Sequence, residues 1–233
     1  MFWRLAILST GDELVEPGSA DNLAPGQIFN SNRFTLGGLL AGHGFEVIDL
    51  GLVPDTPEDT ARVLEEAAAS ADCVISTGGV SVGEEDHVRD QVERLGELKL
   101  WKLKLKPGKP LAFGRVGNTA FFGLPGNPAA VYVTFAMIVR PWLLKCQGSE
   151  DAAPLALPAK AQFELKRAGS RLEFMRARVS ADRGEIRATL HPNQSSGVLS
   201  SVSWANALVV IPPDTVIAEG DLVEVLLLDQ LNR

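Results

Sequence analysis

An apolar run, Cys73-Val74-Ile75-Ser76, breaks into Thr77-Gly78-Gly79-Val80-Ser81-Val82-Gly83 and then into a segment with Val88, Val92 and Leu95 at helical spacing. A strand that ends in glycines and opens a helix points to a βαβ unit, and so to a parallel sheet. The same turn suits an anion. Glycines let the backbone approach closely, and a helix N-terminus offers unpaired N–H groups and partial positive charge. Glu84, Glu85 and Asp86 stand where the helix should begin, complementing its dipole. Taken alone, the segment serves equally well as a plain strand–helix turn.

The alternation recurs along residues 1–148. Leu5-Ala6-Ile7-Leu8 and Glu46-Val47-Ile48-Asp49-Leu50 read as two further strands. Asn30 or Ser31 caps a helix carrying Phe34, Leu36, Leu39 and Leu40, which fades at Gly42 and Gly44. Thr56-Pro57-Glu58-Asp59 combines a hydroxyl cap, a proline at the first helical position and two acids, and Val63, Leu64, Ala67 and Ala68 then share one face. Asn127-Pro128 starts a helix that is apolar nearly all round from Val131 to Val139, so deep burial is expected, and Gly148 is placed to end it. The expected fold is α/β: three layers, a mostly parallel sheet with helices on both faces.

Residues 149–158, with Pro154 and Pro158, read as a linker. Beyond them, 159–233 read as a small all-β domain, sheet or barrel. Its expected strands are 162–166, 172–179, 185–190, 207–211 and 222–228, with turns at Asp182-Arg183-Gly184 and Pro212-Pro213-Asp214.

A net charge of −7 argues against general nucleic-acid binding, which needs a basic surface. No apolar run is read as long enough to span a bilayer, and no secretory signal is read at Met1-Phe2-Trp3-Arg4, so no membrane partner is expected. Cys73 and Cys146 offer neither metal spacing nor a disulfide framework, giving a reduced, cytoplasmic reading. Walker, dinucleotide and serine-elbow motifs are absent, and His43, His87 and His191 are widely separated.

Four segments could carry chemistry. Thr10-Gly11-Asp12-Glu13 follows the first strand and Asp55 follows the second, at the carboxyl ends where open α/β sheets bind ligands. Both also fit plain turns and helix entries. With Asp86 they make three acids beside a phosphate loop, which would repel one another without a hard cation such as Mg²⁺. In Trp101-Lys102-Leu103-Lys104-Leu105-Lys106-Pro107-Gly108-Lys109-Pro110, an extended chain puts Lys102, Lys104 and Lys106 on one face, suiting an anion or a protected edge strand. Gly123-Leu124-Pro125-Gly126-Asn127-Pro128 is a rigid turn opening the buried helix.

Thr10-Gly11-Asp12-Glu13-Leu14, Gly26-Gln27-Ile28-Phe29-Asn30-Ser31-Asn32-Arg33, Thr77 to Asp86, Lys106-Pro107-Gly108-Lys109-Pro110 and Gly123 to Pro128, in that order, closely resemble the molybdopterin molybdenumtransferase family (MoeA and the gephyrin E domain). The resemblance spans most of the chain. Residues 1–148 resemble the family's molybdopterin-binding, MogA-like domain, and 159–233 its C-terminal β-barrel domain. It implies insertion of molybdate into adenylylated molybdopterin with release of AMP. Glu13, Asp55 and Asp86 are then catalytic residues and ligands of Mg²⁺. The implied substrate-binding set is Thr10, Gly11, Asp12, Asn32, Thr77, Gly78, Gly79, Ser81, Gly83, Glu84, Lys102, Lys106, Lys109, Pro125, Gly126, Asn127 and Pro128. Family members typically carry about two further domains before this unit. That leaves three alternatives open: a non-catalytic molybdopterin-binding module, half of a split enzyme with a separate subunit supplying the rest, or an adenylyltransferase on the same scaffold. A homo-oligomer is expected.

Overall fold

The computed structural model describes residues 3–79 and 87–232, with Leu100 and Trp101 described by their backbone alone. The chain divides into two compact units, one made of Met1–Lys102 and Pro110–Gly126, the other of Leu103–Lys109 and Asn127–Arg233. The boundary expected after residue 148 thus differs from the division found, in which the apolar helix groups with the β domain.

In the first unit β1 (Arg4–Thr10) is followed by two short strands, β2 (Leu14–Val15) and β3 (Ile28–Phe29). Then come α1 (Asn32–Gly42), β4 (Glu46–Val53), α2 (Pro57–Ser70), β5 (Cys73–Thr77), α3 (His87–Leu95) and β6 (Gly96–Lys102). After β7 (Leu105–Lys106), which belongs to the second unit, β8 (Pro110–Val116) and β9 (Thr119–Leu124) complete the first. The sheet order is β4-β1-β5-β9-β8-β6, parallel from β4 through β9 and antiparallel at β8 and β6. β1 and β5 are buried on both faces, which is why they read as continuous apolar runs.

Helices cover both faces. Gly37 of α1 approaches Ile7, with 3.8 Å from its Cβ position to Cδ1. On the opposite face Val63, Leu64 and Ala67 of α2 and Val88 and Val92 of α3 pack with Ala6, Leu8 and Val74. Full burial of a side chain such as Leu64 contributes about 1.5–3 kcal/mol. Thr56 caps α2 as expected, its hydroxyl accepting the Asp59 N–H at 3.2 Å. At α1 the side chain that accepts a helical N–H is that of Asn30, from Arg33 at 3.4 Å, and Phe34 is exposed.

The alternation expected through Lys102, Lys104 and Lys106 does not run as one strand. β6 ends at Lys102, a bend follows at Lys104, and Lys106 lies in β7, so the three ammonium groups do not line one continuous strand face.

The second unit begins its main part with α4 (Pro128–Thr134), a π turn at Phe135–Val139 and α5 (Arg140–Cys146). Then follow β10 (Ala156–Ala161), β11 (Leu172–Asp182), β12 (Glu185–Leu190), α6 (Ser200–Trp204), β13 (Ala207–Ile211), β14 (Leu222–Leu227) and α7 (Leu228–Leu231). β12-β10-β14-β13-β11 closes on itself through β11–β12, a five-stranded barrel with β7 added beside β11. Its narrow interior is filled by small residues, including Ala159, Ala161, Ala177, Ala188 and Ala207, beside Val209, Val223 and Val225. The β11–β12 hairpin turns through Arg183 and Gly184, both at positive φ (49° and 84°), as a two-residue turn of this hand requires.

Two expectations are corrected here. The first barrel strand is Ala156–Ala161, beginning inside the stretch read as linker, and 162–166 supplies only a bridge from Leu165 to Ile217. Ala159 and Ala161 alternate inward, but alanine and proline carry weak β signals, so the strand was hidden. The helix Pro128–Cys146 is long and apolar enough by length and composition to cross a membrane, contrary to the reading that no run is. It is mostly buried within its unit, and its Arg140 guanidinium donates to the carbonyls of Ala152 (3.1 Å) and Gln230 (2.8 Å). It is a core helix.

Candidate functional site

β1 sends the chain through α1 to β4 on one side of the sheet, whereas β5 sends it through α3 to β6 on the other. The carboxyl ends of these adjacent strands therefore diverge, which is the switch point where open α/β sheets form a ligand crevice. The register sets Ser9 beside Thr77, Thr10 beside Val53, and Thr77 beside Leu124. Residues Thr10 to Glu13, Asp55, Thr77 to Gly79, and Pro125-Gly126 thus leave one edge of one sheet.

The two central turns touch. Gly78 and Gly79 both have positive φ, 83° and 62°. A Cβ on Gly78 would lie 2.3 Å from the Thr10 carbonyl oxygen, and one on Gly79 would lie 2.5 Å from Val88 Cγ2 and 2.8 Å from Thr10 Oγ1. Only glycines permit this approach. Gly78 N–H donates to the Leu124 carbonyl at 3.3 Å.

Gly11 (φ 143°) opens a turn closed by Leu14 N–H to the Gly11 carbonyl at 3.1 Å, and the Glu13 carboxylate folds back toward Gly11. Asp12 and Glu13 are exposed and Asp55 is half-buried. Asn32, buried in α1, donates through Nδ2 to the Gly126 carbonyl at 2.7 Å, bringing α1 to the loop after β9. That leaves its Oδ1 buried and, among the described residues, without a hydrogen-bond partner, as is Thr10 Oγ1. Buried polar atoms of this kind favour a ligand or water that completes them. Ser81, Gly83, Glu84 and Asp86 lie outside the described residues. Among the described residues no cluster of three or more His, Cys, Asp or Glu is assembled for a metal ion.

A polar network that the sequence reading missed runs beneath this edge. Arg33 Nε meets Asp49 at 2.7 Å and its terminal nitrogen meets Glu16 at 2.8 Å. The Asp49 hydrogen bond is the largest cause holding the Arg33 guanidinium above its ordinary pKa, with Glu16 adding to it. These residues are distant in sequence and share no periodicity, so no local signal links them.

The remaining expected residues divide by unit. Lys102 is exposed in the first. Lys106, Lys109, Asn127 and Pro128 belong to the second, where Lys106 Nζ is paired with Glu173 at 2.7 Å. Also there, Arg176 is 1% exposed, donating through Nε to Ser201 Oγ (3.0 Å) and from a terminal nitrogen to the Ser195 carbonyl (3.0 Å). Burial draws its pKa below the ordinary value, offset in part by Glu173. Gln194 brackets the Arg176 backbone, and the Ser196 carbonyl accepts Ala129 N–H at 2.9 Å, at the start of α4. The signal for this loop was available: a lone arginine inside Phe174-Met175-Arg176-Ala177, and an aperiodic Asn193-Gln194-Ser195-Ser196-Gly197.

Fold and loop edge together define a doubly wound sheet protein with a glycine-lined switch-point crevice, followed in sequence by a small closed barrel. Residues 6–145 match the family described as "Probable molybdopterin binding domain", and 158–228 match the "MoeA C-terminal region (domain IV)". The chain belongs to this molybdopterin-binding domain family. It is 41% identical over 210 residues to a molybdopterin molybdenumtransferase of Haemophilus influenzae, covering 89% of this chain and 52% of that protein. A protein of the same name from Nostoc sp. is 38% identical over 232 residues, covering 96% and 52%. Among solved structures, a molybdopterin biosynthesis MoeA protein from Pyrococcus horikoshii superposes with a TM-score of 0.78 at 31% identity, covering 97% of this chain and 54% of that one. The chain spans about half the length of the curated relatives it matches.

Proposed function

We propose that this chain acts in molybdenum cofactor biosynthesis, binding adenylylated molybdopterin at the β1/β5 crevice, where molybdate is inserted and AMP released. The observation that carries the reading is the contact of Gly78 and Gly79 with Thr10 at the switch point, in a domain of the molybdopterin-binding family. Thr10 Oγ1 and Asn32 Oδ1, buried without partners among the described residues, suit polar groups of the substrate. Lys102 is the cation proposed for its anionic groups, and Asp12, Thr77, Pro125 and Gly126 shape its surroundings; Lys106, Lys109, Asn127 and Pro128, in the second unit, are proposed binders on the family resemblance alone. Ser81, Gly83 and Glu84 complete the proposed set.

Glu13 and Asp55, with Asp86, are the proposed holders of Mg²⁺. Carboxylates on loops of one sheet edge are the hard oxygen donors that ion takes, and it would supply charge neutralisation beside the phosphates. The protein's own residues orient the reactants, and no covalent enzyme intermediate is required. A cytoplasmic, homo-oligomeric protein is the accompanying reading.

Titration calorimetry of the purified chain with adenylylated molybdopterin, with and without Mg²⁺, followed by molybdate addition and AMP measurement, tests this. Binding with AMP release supports insertion by this chain. Binding without release favours the binding-module or split-enzyme reading. No binding overturns the proposal.

A further inference from the structure

We infer that Glu16, Asn30 and Arg33 are positioning residues, forming a polar relay that sets the Gly11–Glu13 turn and the Thr77–Gly79 turn in place against each other. The ligand consequence of this rests on the function proposed above; the structural claim does not.

Residues between Gly11 and Asn30 leave the sheet and return to it. The excursion is tied at its neck by Ile28 N–H to the Glu13 carbonyl and Asn30 N–H to the Val15 carbonyl, both at 2.8 Å. At its exit Asn30 is wholly buried, and both ends of its side chain are used. Nδ2 donates to Glu16 Oε1 at 3.0 Å, and Oδ1 accepts from Ser9 Oγ and from Arg33 N–H, each at 3.4 Å. Ser9 Oγ also meets Thr77 Oγ1 at 3.0 Å, and Thr77 is the residue before Gly78. From the other side, Arg33 holds the second Glu16 oxygen and grips Asp49 through Nε. Asp49 Oδ1 in turn accepts Gly51 N–H at 3.0 Å on the strand that leads to Asp55. One connected path therefore reaches β1, β4 and β5, three of the strands whose loops carry proposed binding residues.

Stability alone does not account for it. The Arg33 pairs have side chains 26–38% exposed, and such ion pairs contribute about 0–1 kcal/mol. Their geometric effect is larger, because each bond restricts where a turn can sit, and a misplacement of roughly 1 Å at a reacting centre can cost about 10²-fold in rate. Members of such a network act together, so removing one loosens segments it does not touch.

The test uses the full chain with Glu16→Ala, Glu16→Gln and Ser9→Ala. Backbone amide exchange is followed at Gly11–Leu14 and Thr77–Gly79, and adenylylated molybdopterin is titrated calorimetrically. Glu16→Ala should raise exchange about tenfold in both turns while β9 and the barrel stay protected, and Glu16→Gln, which keeps an acceptor for Asn30, should restore most of the protection. Ser9→Ala should leave Gly11–Leu14 protected and abolish the response of Thr77–Gly79 to Glu16→Ala, as a double-mutant cycle detects. Unchanged exchange at Thr77–Gly79 in Glu16→Ala, a uniform rise throughout the chain, or failure of that variant to fold overturns the relay. A wild-type chain that does not bind adenylylated molybdopterin sinks the proposed function and leaves the exchange data to decide the relay. A wild-type chain that binds, with Glu16→Ala binding within about twofold of it, overturns the positioning role alone.

Discussion

Replacing Gly78 with alanine isolates the close approach at the crevice. The residue sits at φ 83°, where a side chain costs about 1 kcal/mol, and its Cβ would fall 2.3 Å from the Thr10 carbonyl oxygen. Real Cβ atoms essentially never come within 3.0 Å of such a neighbour, and ordinary contact begins near 3.4 Å. The obstacle is backbone, so the turn must retreat by about 1 Å, and the combined destabilisation should be about 2–4 kcal/mol. Gly18 supplies the control: its φ is 85°, nearly the same, with nothing within 4 Å of the Cβ position. Gly18→Ala should therefore show only the conformational cost of about 1 kcal/mol. Urea denaturation of the two variants gives the difference, and calorimetric titration with adenylylated molybdopterin gives the ligand consequence, expected to be at least about tenfold weaker binding for Gly78→Ala and none for Gly18→Ala. Equal stability of the two variants would refute the steric argument. A destabilised Gly78→Ala chain that binds as well as wild type would separate the turn from the ligand.

Three further outcomes are expected. Thr56→Ala removes the cap of α2 and should cost about 1 kcal/mol in urea denaturation, with little change in ligand binding. Lys106→Ala should weaken binding of adenylylated molybdopterin and flatten its salt dependence, while changing stability by less than about 1 kcal/mol, since its pair with Glu173 is half-exposed. Tyr132 is the only tyrosine of the chain, and burial raises its pKa above the ordinary value of 10.0. A group raised in the folded state stabilises fully below its unfolded value and loses that contribution as pH climbs toward the raised one. Alkaline unfolding should therefore coincide with the appearance of tyrosinate absorbance, and Tyr132→Phe should shift the unfolding to higher pH; unfolding at unchanged pH would count against it.

The central strands were legible because burial on both faces leaves a bare apolar run, as in Leu5 to Leu8 and Cys73 to Ile75. The loops that follow those strands, Thr10-Gly11-Asp12-Glu13 and Thr77-Gly78-Gly79, were legible for the same reason, since a strand's carboxyl end fixes the edge its loop joins. The β8–β9 hairpin was not read, although Gly117 (φ 56°) and Asn118 between two apolar runs are a hairpin signal. Lys102, Lys104 and Lys106 misled because alternation predicts a shared face only while the chain stays extended. Arg176 with Ser195, and Arg33 with Glu16 and Asp49, depend on tertiary proximity that no window of sequence contains.

The path of the chain between its two units has a consequence for synthesis. Residues 103–109 leave the first unit for the second, and Pro110–Gly126 return to supply β8 and β9. A ribosome therefore finishes the sheet of the first unit with a loop already spun out of it. That loop's strand partner, Leu172-Glu173, has yet to be made. The two halves cannot mature as beads on a string: Leu105 and Lys106 must wait unpaired until the barrel reaches β11. Any rearrangement of this gene that exchanged one unit for another at a single junction would sever that thread.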